Sequence, residues 1–190
     1  AIFFSVVASP LYIAVLTYHY PMIPEDMLET LVASRVKIPF PPVVEVIFME
    51  LTIELLREAG ARLPSKVGQT LGIVGGIVIG QAAVQAGMTS NVLLIIVALS
   101  ALSSFTTPVY KMANTVRLIR FPFILLAAAL GGIGVLFCFT FFIIHLLRLT
   151  SLGRPYFKPL YPPRLRDFKD SFIRSSINQL YKRPVHMQPG

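Results

Sequence analysis

Between Ala59 and Arg166 the chain contains no Asp and no Glu. A water-soluble domain needs charge of both signs at its surface, and about a quarter of its residues are ordinarily charged. Here 14% are charged and 55% are hydrophobic, and mean hydropathy over the 190 residues is +0.71. The Lys and Arg of the acid-free stretch stand between apolar runs long enough to cross a hydrocarbon core of about 30 Å. The pattern predicts an all-α, polytopic membrane protein.

Four runs supply the crossings: 1–20, 67–86, 91–110 and 121–147. The first contains Pro10, which removes a backbone hydrogen bond and kinks the helix, and it closes on the interfacial aromatics Tyr18 and Tyr20. Thr89, Ser90 and Asn91 make a short turn between the second and third. The ten residues "KMANTVRLIR", 111–120, read as a polar loop. The fourth run has 27 residues, enough to cross with tilt, and Gly131, Gly132 and Gly134 loosen its middle.

Segment 21–66 has a different pattern. Pro24 with Glu25 and Asp26 is a helix start, because carboxylates favour the positive end of a helix. Pro39, Pro41 and Pro42 force an extended stretch. An amphipathic helix follows over 43–59, with Val44, Phe48, Leu51 and Leu55 on one stripe and Glu50, Glu54 and Glu58 on another. Acids at every turn exclude that helix from lipid. Segment 21–66 is therefore expected as an extracytoplasmic, interfacial piece, completing a membrane domain over 1–147.

Residues 148–190 form a basic, Pro-rich tail. After Leu147 there are nine Lys and Arg against Asp167 and Asp170, which is +7 of the whole-chain +8. Beside a membrane span such a balance favours anionic lipid on the cytoplasmic face over nucleic acid. The C-terminus is thus expected inside, the 87–90 turn inside, and 21–66 outside. Lys111, Arg117 and Arg120 then fall on the side that the positive-inside rule disfavours. The chain opens within an apolar run with no charged leader before it. It reads as the C-terminal fragment of a longer protein whose N-terminal part is missing.

Functional candidates follow from polar groups in apolar runs. Gly68, Gly72, Gly76 and Gly80 recur every fourth residue and let another helix approach closely, within the chain or from a neighbouring subunit. Gln81 and Gln85 lie beside that row, and an amide in hydrocarbon must face protein or water. Ser100, Ser103, Ser104 and Thr107 make a second polar strip. The two strips are candidates to line an aqueous path with weak sites, or to glue helices together by hydrogen bonds. Glu50, Glu54 and Glu58 either face solvent or form a cation-attracting stripe at the mouth of an assembly. His145 at a span end reads as an interfacial residue more readily than a proton relay. Cys138 is alone, which excludes an intrachain disulfide and argues against a metal cluster. No catalytic motif is present and no cofactor is expected.

One resemblance sharpens this reading. The strings "SPLYIAVLTYH", "MIP", "ELLREAGARLP", "GQTLGIVGGIVIGQAAVQAG", "RFP", "SLGRPY" and "DFKD" closely resemble the A subunits of bacterial spore germinant receptors, the GerA family. The likeness runs from Ser9 to about Asp170. Pro21 stands where that family's pattern usually has Glu. The resemblance implies a multi-pass subunit of the spore inner membrane, working with B and C subunits and preceded by a cytoplasmic N-terminal domain. The transporter-like B subunit would bind the nutrient. The A subunit would oligomerise into a nutrient-gated cation channel. A non-conducting scaffold that docks the nutrient-binding subunit is the alternative, and a transporter half with its own solute site a third.

Overall fold

The computed structural model describes residues 1–62, 65–104, 106, 107, 110–151, 154 and 155, with side-chain surroundings undescribed for 65–74, 110, 151, 154 and 155. Seven α-helices occur among them: α1 (Ile2–Tyr18), α2 (Glu25–Arg35), α3 (Pro42–Ala61), α4 (Ser65–Gln85), α5 (Asn91–Ser104), α6 (Tyr110–Leu130) and α7 (Gly132–Arg148). A 3-10 turn, Tyr20–Met22, follows α1. The all-α expectation holds apart from one two-residue antiparallel pair, β1 (Thr150–Ser151) with β2 (Arg154–Pro155), in which Thr150 faces Pro155. Most of the 148–190 tail lies outside the described residues. The chain divides into two compact units, Ala1–Cys138 and Phe139–Gly190. Everything below concerns the first.

Local sequence accounts for most helix ends. Pro24 and Pro41 precede α2 and α3 in extended conformation, each followed by early acids, Glu25 and Asp26 in one case and Glu45 in the other. Helix α4 stops in a left-handed residue, Gly87 (φ +68), whose N–H donates to Val84 O while Met88 N–H donates to Ala83 O. That paired pattern satisfies carbonyls a helix end would leave orphaned. Pro10 stays inside α1.

Cross-contacts fix the directions. Ser5 bonds Ser100 and Tyr12 bonds Ser90, so α5 runs antiparallel to α1. Ser9 and Arg120 both reach Glu50, and Tyr18 reaches Ala128, so α6 runs parallel to α1. Helix α3 runs back along α1, and α4 returns along α3, with Gly75 beside Leu56 and Gly87 against the carbonyl of Lys37.

Two expectations change as a result. Residues 111–120 are the first half of α6, not a loop: Arg117 and Arg120, two of the three charges that argued for a loop, are paired inside the bundle. The 121–147 stretch is two helices, broken at Gly131 (φ +63), a conformation that costs an L-residue about 1–2 kcal/mol. The carbonyl of Lys37, between α2 and α3, faces Gly87 at the end of α4.

Exposure departs from that of a water-soluble protein. Beside an apolar core the buried set includes Ser5, Ser9, Glu45, Glu50, Ser100, Arg117 and Arg120, while Leu55, Leu118 and Ile133 are 70% exposed or more. Paired polar groups inside and large apolar side chains outside suit surroundings that are themselves apolar. By length and composition, one helix among the described residues, Lys111–Leu130, can cross a membrane, and α1, α5 and α7 are apolar but shorter. The four crossings expected from the sequence are therefore not all matched by helix length.

Candidate functional site

The polar interior centres on Glu50. Spacing of four residues puts Glu50 and Glu54 one turn apart on α3, and spacing of three does the same for Arg117 and Arg120 on α6. The antiparallel helices meet with these rows facing. Ser9 Oγ of α1 donates to Glu50 Oε1 at 2.7 Å, and Arg120 Nη1 donates to Glu50 Oε2. Both charged side chains are more than nine-tenths buried. One turn along, Arg117 Nε lies 3.6 Å from Glu54 Oε2, and Arg117 Nη2 donates to Asn114 Oδ1. Arg57 Nη2 reaches Ala101 O at 3.4 Å, tying α3 to α5.

A second network closes the far end. Arg35 of α2 pairs with Glu45 of α3 at 2.7 Å, with the carboxylate buried. Tyr12 Oη and Ser90 Oγ are 3.1 Å apart, and Ser90 Oγ also accepts from Leu93 N–H at the start of α5. Tyr18 Oη donates to Ala128 O and Ala129 O at 2.9 and 3.2 Å, covering carbonyls left open where α6 ends.

Isolated charges in an apolar interior cost far more than paired ones, and a pair survives there only with good geometry and extra hydrogen bonds. Glu50 has both an arginine and a hydroxyl. Arg120 is less well served: its Nε and Nη2 make no hydrogen bond among the described residues. The arrangement can hold three helices in one register, and it can separate only at the expense of exposing unpaired charge.

The acidic stripe, expected either to face solvent or to attract cations at the mouth of an assembly, forms three separate ion pairs, Glu50–Arg120, Glu54–Arg117 and Glu58–Arg62, the last on the surface at 2.8 Å. Helix α3 turns Glu50 inward, keeps Glu58 on the surface and leaves Val44, Leu51 and Leu55 exposed. A carboxylate neutralised by its own arginine draws few further cations.

The two polar strips are not brought together within one chain. Ser100 Oγ donates to Ser5 O at 2.8 Å, and Ser104 Oγ to Ala101 O at 2.6 Å, both buried. Thr107 is buried and its Oγ1 makes no hydrogen bond among the described residues. Ser103 is half-buried, whereas Gln81 and Gln85 are exposed on α4. The glycine row divides as well. A Cβ on Gly80 would lie 2.9 Å from Leu94, and one on Gly76 would meet nothing within 4 Å. Gly68 and Gly72 lie in α4 where side-chain surroundings are outside the described residues.

Sequence reasoning missed Ser9, Arg117 and Arg120 as site residues. The available signal was a pair of bases three apart in an apolar run, matched by acids four apart on another helix, since charges at membrane depth ordinarily pair with one another.

Comparison with known proteins shows the family. Residues 1–186 match the family model described as Bacillus/Clostridium GerA spore germination protein. The chain belongs to the GerA spore germination protein family. It is 60% identical over 97% of its length to spore germination protein GerQA of Bacillus cereus, covering 37% of that protein. It is 61% identical over its whole length to spore germination protein GerIA of Bacillus cereus, covering 28% of it. At 38% identity over 96% of the chain, and 36% of the relative, it is similar to uncharacterized membrane protein YfkQ of Bacillus subtilis (strain 168). The chain thus spans about a third of the length of these relatives. No solved structure matches it.

Proposed function

We propose that this chain is the membrane part of a spore germinant receptor A subunit. In this reading it is a multi-pass protein of the spore inner membrane with its C-terminus in the cytoplasm. Nutrient bound to a transporter-like B subunit, with a C subunit present, shifts an oligomer of A subunits from closed to open, and monovalent cations pass. The observation that carries the membrane placement is the Ser9–Glu50–Arg120 cluster buried inside a bundle whose outer surface is apolar. A related observation removes an objection to the orientation: Arg117 and Arg120 lie on α6 and pair with Glu54 and Glu50 of α3, so they do not weigh as loop charges.

In the assembled path the lining groups are those that one chain leaves uncovered, Gln81 and Gln85, with the half-buried Ser103 of α5 at another depth. Exposed carboxamides offer the weak, uncharged sites that conduction requires. The family's A, B and C receptor reconstituted in liposomes tests this. Nutrient-triggered potassium efflux is expected to fall by at least tenfold in Gln81→Leu/Gln85→Leu, with the amount of assembled receptor unchanged. Undiminished efflux would sink the lining role.

A second reading, a non-conducting scaffold that docks the nutrient-binding subunit, is favoured by one observation. Ser100 and Ser104 are bonded to backbone carbonyls of their own chain and offer nothing to a path. The same liposomes decide: nutrient binding with no efflux at all selects the scaffold.

A further inference from the structure

A cleft of about 330 Å³ opens on the outer side of the Glu54–Arg117 pair. Its wall is one face of α6 in sequence order: Lys111, Asn114 and Thr115, then Leu118 and Phe121, with Arg117 at its base and Glu54 across from it on α3. Helical spacing of three and four puts these on one stripe. The stripe is polar and cationic over its first turn and apolar over the next two. Leu118 is 71% exposed, so the apolar end is open to the surroundings.

Arg117 is the second observation. Its side chain is 9% exposed, and its Nε faces Glu54 only at 3.6 Å, with no hydrogen bond among the described residues. No carboxylate pairs with Lys111 among those residues. Two cations against one carboxylate leave the cleft one positive charge in excess, and the positive end of the α6 dipole adds to it. Lys111 also opens the stretch of α6 that is long and apolar enough to cross a membrane, which is the depth of lipid phosphates.

We propose that this cleft seats the phosphodiester headgroup of an anionic phospholipid. The phosphate accepts from Lys111 Nζ, Asn114 Nδ2 and Arg117 Nε, and an acyl chain lies along Leu118 and Phe121. The head-then-tail order of the stripe selects a lipid over a free phosphate, because a free anion has no use for the apolar wall.

This inference rests on the membrane reading above. The test is native mass spectrometry of the full chain released from nanodiscs of equal phosphatidylglycerol and phosphatidylcholine. One phosphatidylglycerol retained per chain is expected, with retention weakened about fivefold in Lys111→Gln, an exposed position that does not threaten folding. Equal retention of phosphatidylcholine, or no change in Lys111→Gln, overturns the site. Displacement of the lipid by equimolar glycerol phosphate shows that the cleft takes a free phosphate, and also overturns it. A chain that fails to enter the nanodisc refutes the membrane reading itself, whereas one that enters without lipid preference refutes only this site.

Discussion

The seam between α1, α3 and α6 and the outward face of α4 treat polar groups in opposite ways. In the seam, Ser9, Glu50 and Arg120 are buried and bonded to each other across three helices. On α4, Gln81 and Gln85 stay exposed on one side, and on another no described residue comes within 4 Å of where a Cβ on Gly76 would lie. The charges and the hydroxyl of the seam all come from one chain. Helix α4 has polar groups and a side-chain-free strip that the described residues do not cover. In an apolar solvent the first arrangement holds a protomer together, and the second asks for a neighbour or for water.

The largest expected effect breaks the seam. Arg120→Met removes the cation and leaves Glu50 buried and uncompensated, which costs about 3–5 kcal/mol. The melting temperature of the detergent-solubilised chain should collapse, or folded protein should be lost. Glu50→Gln/Arg120→Met removes both charges and should recover most of the loss, since a hydrophobic replacement of a buried pair is often near neutral. A single variant that melts like the parent would mean that water reaches the pair, and the contrast with α4 would disappear.

Gly131→Ala comes next. The left-handed backbone alone costs roughly 1–2 kcal/mol, and the new Cβ would lie 2.8 Å from the Tyr18 ring. That ring carries the hydroxyl covering Ala128 and Ala129 at the end of α6. Melting should drop, and Tyr18→Phe should lower it by less, about 1 kcal/mol for the lost hydrogen bond. If Gly131→Ala is silent, α6 and α7 are one continuous helix, as 121–147 reads in sequence.

How much of this was legible depended on whether the signal was local. Helix α2 starts at Glu25 because Pro24 and the acids after it say so, and α3 is amphipathic because its periodicity says so. Which face of α3 points inward was not legible. Periodicity states that two faces differ but not which solvent each meets, and Glu50 turned inward because Arg120 waits on α6, about 70 residues away. The 111–120 reading has the same origin. Bases among polar residues resemble a loop until the partners of Arg117 and Arg120 are known. The apolar character of the whole was legible early, in the absence of any acid from Ala59 to Arg166. The glutamines of α4 were found by residue type alone, while the serines of α5 were found but their bonds to Ser5 and Ala101 were not.

The smallest effect on stability is the most discriminating between the two regions. Gly76→Leu adds a side chain where a Cβ meets nothing within 4 Å. In the isolated chain, replacing a helical glycine should leave melting unchanged or raise it by up to about 1 kcal/mol. Gly80→Leu, aimed at Leu94 only 2.9 Å from the new Cβ, should lower it by about 1–3 kcal/mol through overpacking. In the assembled receptor the order should reverse for Gly76: crosslinking between chains through a cysteine at Ile79, an exposed residue on the same side of the helix, should fall although the chain itself is sound. If Gly76→Leu instead destabilises the isolated chain as much as Gly80→Leu does, α4 is covered by its own protomer. The side-chain-free strip then has a partner within the chain, and no neighbouring chain is needed to explain it.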